Sequence, residues 1–459
     1  MSEKKECMKD IDNKLILKNI KKFNILHQKK GIKLLNWEKN VELIIIPVTI
    51  NICVNSQKYK IDFVKYSKYM IDVLNDGFSG NIYSPYKNIN NNPDFKYNTT
   101  FIKKILDKDK ILNSEKNSDI IYNYINTNND TKIRFFLDSI VYHNIFLEEK
   151  FENSDTEKFL DNISQKGFKI MKKHHKNLNI NIIKFLCPTL GVSIFPWMKY
   201  ITNNISGCMQ VFLDYCTIHP EIANNQFNNC RTLIHEVGHI FGLRHSFSCN
   251  LETLQVYAIL LGKIIMEKEI LCKLNFNNNE DLKSNEKQKY NNTDIVNEPI
   301  DINDLLFFKD KLNHNKINIQ LYPDIPTQSN STNYNPFLQN NFPFCNNVPS
   351  NFACFMDYSP DEVLTHFTNS QIKIMHYMIR MFKPYLIKKS RTNIINLNNC
   401  KVKLYINNKN TIKKISNNIS EVKPSYKYYL HYDRKKTFKY IVLNVDDNYK
   451  KNIYIENQE

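Results

Sequence analysis

Arg231-Thr232-Leu233-Ile234-His235-Glu236-Val237-Gly238-His239-Ile240-Phe241-Gly242-Leu243-Arg244-His245 is the stretch that decides how this chain reads. His235 and His239 are four residues apart, so on a helix they stand one turn above each other on one face. Two imidazoles at that spacing suit one Zn²⁺ ion held at roughly 2.0–2.1 Å. Glu236 points elsewhere and is placed to take a proton from a water that the metal activates. His245 lies beyond the helix and can join the pair only if the chain turns. Gly242 supplies the turn, because glycine enters left-handed backbone without a steric penalty. Three nitrogen ligands with a fourth position left for water is the catalytic pattern of zinc, not the structural one.

The short motif His-Glu-x-x-His arises on many charged helices, and Gly242 with His245 at these offsets makes it specific. Glycine usage agrees: the chain holds nine glycines, and Gly238 and Gly242 both fall here.

Composition narrows the rest. A chain of 459 residues with a net charge of +17 has ample length for a core. Its lysines are dispersed among asparagines, without a tight basic cluster or interleaved stacking aromatics, so no nucleic-acid partner is expected. The first 20 residues show no signal-peptide pattern. The apolar run Val41 to Val54 is short and broken by Pro47 and Asn51, so no transmembrane segment is expected. Eleven cysteines without a Cys-x-x-Cys pair announce no structural zinc site. They suit an oxidising compartment, whereas the missing signal suits an intracellular one, and the compartment stays open.

The periodicity predicts an α/β (α+β) fold. Residues 1–40 form a leader, flexible or partly helical. A buried strand over 41–54 precedes an amphipathic helix over 61–74, which Asn75-Asp76-Gly77 should stop. Strands follow at 132–139, at 178–186 with one buried face, and at 208–213. Polar insertions cover about 81–130 and 252–318. Thr368-Asn369-Ser370-Gln371 is a capping box that opens a helix through Phe382. The catalytic unit therefore spans 41–385, and 386–459 is a basic, β-prone extension of unknown role.

These residues resemble the pappalysin family of metzincin zinc proteases, the family of pregnancy-associated plasma protein A. The resemblance covers roughly residues 43–382. It is carried by residues 74–80 (Leu-Asn-Asp-Gly-Phe-Ser-Gly), Leu178 to Trp197, Arg231 to Cys249, Met356 to Asp361 and His366 to Gln371. The segment Asp324-Ile325-Pro326 also looks like a family element. The resemblance implies a metzincin-like fold: a mixed twisted sheet carrying the active-site helix, above a more irregular C-terminal subdomain. It implies that His235, His239 and His245 hold zinc, with Met356 as the methionine of the turn beneath them. Tyr358 matches a position that in several metzincins approaches the metal and stabilises an oxyanion; a plain buried tyrosine is the other reading. The segment after that turn lines the pocket for the residue following the scissile bond, which makes Asp361 a candidate for selecting Arg or Lys there; a solvated carboxylate is the alternative. A Cys249–Cys345 disulfide is implied as well. Where the family carries a cysteine after Met-Asp-Tyr, this chain has Asp361-Glu362-Val363-Leu364, which leaves Cys354 without its partner. The expected function is that of a zinc-dependent endopeptidase acting on a protein or peptide substrate, with Glu236 as the base. The alternative is a catalytically inactive binding module on the same fold.

Overall fold

Isoleucine, valine and phenylalanine crowd the strands, and water is excluded from both of their faces. All nine residues of β1 (Ile44–Ile52) are buried, as expected for a strand flanked by parallel neighbours. The structure, a computed structural model, describes residues 13–30, 43–54, 63–86, 114–143, 148–149, 176–186, 189–201, 208–247, 251–262, most of 322–345, 348–387, and the segments 403–408, 411–415, 426–430 and 440–443.

Five strands build the centre of a mixed sheet: β1, β2 (Ile133–His143), β3 (Leu178–Phe185), β4 (Gly191–Ser193) and β5 (Met209–Asp214). Their spatial order is β2-β1-β3-β5-β4. β1 runs parallel to β2 and β3, and β3 runs parallel to β5. The short β4 is antiparallel to β5 and forms the edge. In register, Ile50 lies between Ile140 and Ile180. Beyond β2 the sheet continues with β6 (Lys403–Asn408), parallel to β2, and β7 (Thr411–Ile415), antiparallel to β6. Part of the C-terminal extension is thus sheet.

β3 departs from its expected single buried face. Asn179 and Asn181 are fully buried, because the Asn51 amide of β1 donates to Asn179 Oδ1 at 3.3 Å and Asn181 Oδ1 at 3.0 Å. Cross-strand amide pairing satisfies groups that alternation alone assigns to solvent.

Helices cover this sheet. α1 (Asn13–Lys18) and α2 (Ile20–Lys30) come from the leader and are packed: Ile16 and Phe23 are buried, and His27 Nε2 meets the Ile259 carbonyl at 3.0 Å. α3 (Phe63–Ser79) runs past its expected stop. The Asn75 side chain is occupied by both backbone groups of Phe135 on β2, Phe78 is fully buried, and the helix ends at Gly80, whose φ is +78°. α4 (Ser114–Asn126) lies within the first expected insertion. α5 (Arg231–Ile240) carries the motif. α6 (Leu251–Leu261) opens the second expected insertion, yet Val256 to Leu261 are buried core. α7 (Asn369–Phe382) begins with the capping box: the Thr368 side chain accepts from Gln371 N while Gln371 Oε1 accepts from Thr368 N. No helix among the described residues is long and apolar enough to cross a membrane.

Candidate metal centre

Every residue of α5 is buried, so each polar group it carries needs a partner inside the protein. The helix starts at Cys230, whose left-handed backbone (φ +61°) offers no side-chain cap. A residue 130 positions away does that job instead: Asp361 Oδ2 accepts from Arg231 N at 3.1 Å and from Asn229 N at 2.8 Å. Free N–H groups and the positive end of the dipole draw an anion there. Asp361 is fully buried, where it serves as the cap of this helix rather than as a solvated carboxylate. Its neighbour Glu362 is held by the Tyr86 hydroxyl and the Asn335 amide.

The helix ends in a Schellman turn, with Leu243 N donating to Gly238 O and Gly242 N to His239 O. Gly242 has φ +87°. That turn returns His245 to the helix face. His239 Nε2 stands 3.1 Å from His235 Nε2 and 3.1 Å from His245 Nε2. The far nitrogens are tied to backbone: His235 Nδ1 donates to Phe355 O at 2.7 Å and His239 Nδ1 to Leu243 O at 2.6 Å. Those bonds fix the tautomer and aim the Nε2 lone pairs at a common centre. Lone pairs so close repel unless a cation sits among them. Ligands about 2.0–2.1 Å from one tetrahedral ion lie roughly 3.4 Å apart, so the observed spacing fits zinc. Among the described residues, these three histidines form the cluster able to hold a metal.

Two tyrosines lock the loop that delivers His245. The Tyr257 hydroxyl donates to Gly242 O at 2.6 Å and accepts from Arg244 N at 3.0 Å. The Tyr322 hydroxyl accepts from the same Arg244 N at 2.8 Å and donates to Arg244 O at 2.8 Å. Burial pushes the Tyr322 phenol well above its usual range, so it stays a neutral donor. The buried Arg244 guanidinium lies over the rings of Phe195 and Trp197, 5.1 and 5.6 Å from their centroids. Sequence reading missed Tyr257, which sits in an expected insertion; the unbroken apolar run of α6 was the available signal.

Met356 packs on the helix that carries His235 and His239. A Cβ on Gly238 would come 2.6 Å from its Sδ, so the thioether packs directly on the helix backbone. Ser246 N donates to Met356 O at 3.1 Å, which stitches the Met356 segment to the residue after His245. Asp357 is fully buried and accepts from Thr332 N and Gln328 Nε2; burial pushes its carboxyl up to about 6. The Tyr358 hydroxyl is 3.3 Å from His245 Nε2, and Phe247 stacks on the His245 ring at 4.8 Å. Glu236, 1% exposed, accepts a hydrogen bond from Ser193 Oγ at 2.6 Å. Cys249 and the Cys345 side chain, the implied disulfide pair, lie outside the described residues. Among those described, Cys53, Cys208, Cys230 and Cys354 are free thiols.

No family model matches the chain. An uncharacterized protein of Acanthamoeba polyphaga mimivirus is 25% identical over 373 residues, which is 77% of this chain and 34% of that protein. The chain therefore spans about a third of that relative's length. Among solved structures, a point mutant of Tannerella forsythia promirolysin aligns at 15% identity and a TM-score of 0.44, over 84% of this chain and 99% of its own. Mature Tannerella forsythia mirolysin in complex with a cleaved peptide aligns at 16% identity and a TM-score of 0.40, over 76% and 98% of the two chains.

Proposed function

We propose that this chain is a zinc-dependent endopeptidase of the metzincin type, similar to the pappalysins. The observation that carries the reading is the convergence of three buried Nε2 atoms, two with Nδ1 tied to backbone carbonyls, with Glu236 buried on the same helix. His235, His239 and His245 hold the ion. When bound, zinc supplies Lewis acidity toward the scissile carbonyl and makes water a nucleophile near neutral pH.

The chain's own residues do the rest. Glu236 takes the proton of the attacking water and passes it to the leaving nitrogen. The Tyr358 hydroxyl, beside His245, donates to the oxygen on which charge develops. β4 is the edge of the sheet, and among the described residues no strand pairs with its outer side. That side offers an extended peptide the backbone groups of an added strand.

Metal analysis should find about one zinc per chain, and a peptide library should be cleaved in a chelator-sensitive way. Glu236→Gln should keep zinc and fold while losing turnover by more than the ~10²–10⁴ typical of one acid–base group, since this residue also positions water. Well-folded protein without zinc would remove the metal from the reading. Zinc without any cleavage would leave a binding module.

A further inference from the structure

Ser193 lies on the edge strand, 43 residues before Glu236 in sequence, yet their side chains meet inside the protein. Its Oγ is 2.6 Å from Glu236 Oε2, and the two residues are 4% and 1% exposed. That length belongs to a well-formed O–H···O hydrogen bond. Gly191 sits two residues earlier, on the same face of β4. A Cβ there would come 2.9 Å from Glu236 Cγ and 3.0 Å from Oε1. One face of β4 is therefore a seat for this carboxylate: Gly191 gives it room and Ser193 gives it a donor.

We propose that Ser193 is a positioning residue for the base, an inference that rests on the proteolytic reading above. A glutamate has three side-chain torsions, and burial alone does not select among their rotamers. The Ser193 hydroxyl on Oε2 selects one orientation of the carboxylate toward the attacking water. Because β4 is also the edge on which an extended peptide would lie, one strand sets substrate and base against each other. Loss of the hydroxyl removes this hold on the carboxylate, which harms proton transfer while leaving the peptide's contacts in place.

The test compares wild type with Ser193→Ala, Ser193→Thr and Gly191→Ala, each zinc-loaded, on a cleaved library peptide. Ser193→Ala should lower kcat about 10–100-fold, the usual effect of removing such a supporting hydrogen bond. KM should change less than about twofold, since the substrate's own contacts remain. Ser193→Thr, which keeps the hydroxyl, should restore most of kcat. Gly191→Ala pushes the carboxylate from its other side and should reproduce the kcat-selective loss, which keeps the idea testable if Ser193→Ala folds poorly. A crystal structure of Ser193→Ala gives a readout besides activity: the Glu236 side chain should leave its wild-type rotamer while zinc content is retained. Active wild type with an unaffected Ser193→Ala kcat overturns this inference alone, as does a loss confined to KM or to zinc binding. Wild type that cleaves nothing overturns the parent reading, and this one with it.

Discussion

One buried carboxylate, Asp361, fixes where the helix of the three-histidine cluster begins. Its Oδ2 serves two backbone N–H groups at the start of α5, where Cys230 supplies no side-chain cap. Asp361→Ala should therefore lower stability by about 1–2 kcal/mol, the range for losing an N-terminal cap with its dipole interaction. The peptide-library profile should stay as it is. Denaturant unfolding and the profile together decide: unchanged stability with a relaxed preference for Arg or Lys would assign Asp361 to the substrate pocket instead. The three histidines were legible because their spacing is local: a helix of fixed pitch aligns His235 with His239, and Gly242 marks the turn that returns His245. Asp361 was legible only as a neighbour of the methionine turn. The 130 residues between it and its hydrogen-bond partner Arg231 are a distance that no periodicity spans.

At the scale of elements, the turn from α5 to His245 depends on two hydroxyls that share one donor. Tyr257 and Tyr322 both accept from Arg244 N. Either single Phe variant leaves that N–H one acceptor and should cost about 0.5–1.5 kcal/mol. The double variant leaves it buried and unpaired, so its cost should exceed the sum of the singles by about 1 kcal/mol or more. Zinc affinity should drop roughly 10–100-fold in the double variant, as for other supports behind metal ligands. Urea unfolding and zinc competition measure the two effects, and strict additivity would mean the hydroxyls act apart from the turn. The strands around this turn were readable: 41–54, 132–139, 178–186 and 208–213 contain or overlap the observed β1, β2, β3 and β5. What misled were elements whose reason lies elsewhere in the fold. α3 outruns its asparagine stop because β2 occupies that side chain. α6 looks like the start of a loop insertion because its partners, Gly242 and Arg244, lie across the core.

Across the whole molecule, acid stability is set by buried groups that pull in opposite directions. His376 on α7 is 1% exposed, and its Nε2 meets the Thr131 carbonyl at 2.7 Å. Burial pushes its imidazole down to about 4, with Arg380 adding to the effect. The unfolded chain takes up this proton near 6.5 and the folded chain only near 4. This contribution to stability is therefore complete above pH 6.5 and lost as pH falls toward 4. His27, lowered by burial as well, acts in the same sense. Asp357 acts in reverse, since its folded carboxyl titrates near 6 against 3.8 when unfolded. Its contribution is complete below 3.8 and lost as pH rises through 6. Over the shared window the slopes oppose, so the wild-type curve should be flatter than either group alone would make it. His376→Gln keeps a donor for the Thr131 carbonyl but cannot titrate. Relative to wild type it should gain as pH falls from 6.5 to 4, by up to roughly 3 kcal/mol. Asp357→Asn should drift the other way, losing ground on acidification. Denaturant unfolding of the three proteins at pH 4.5, 5.5 and 7 separates them, and parallel curves for wild type and His376→Gln would show that the burial of His376 carries no linked proton.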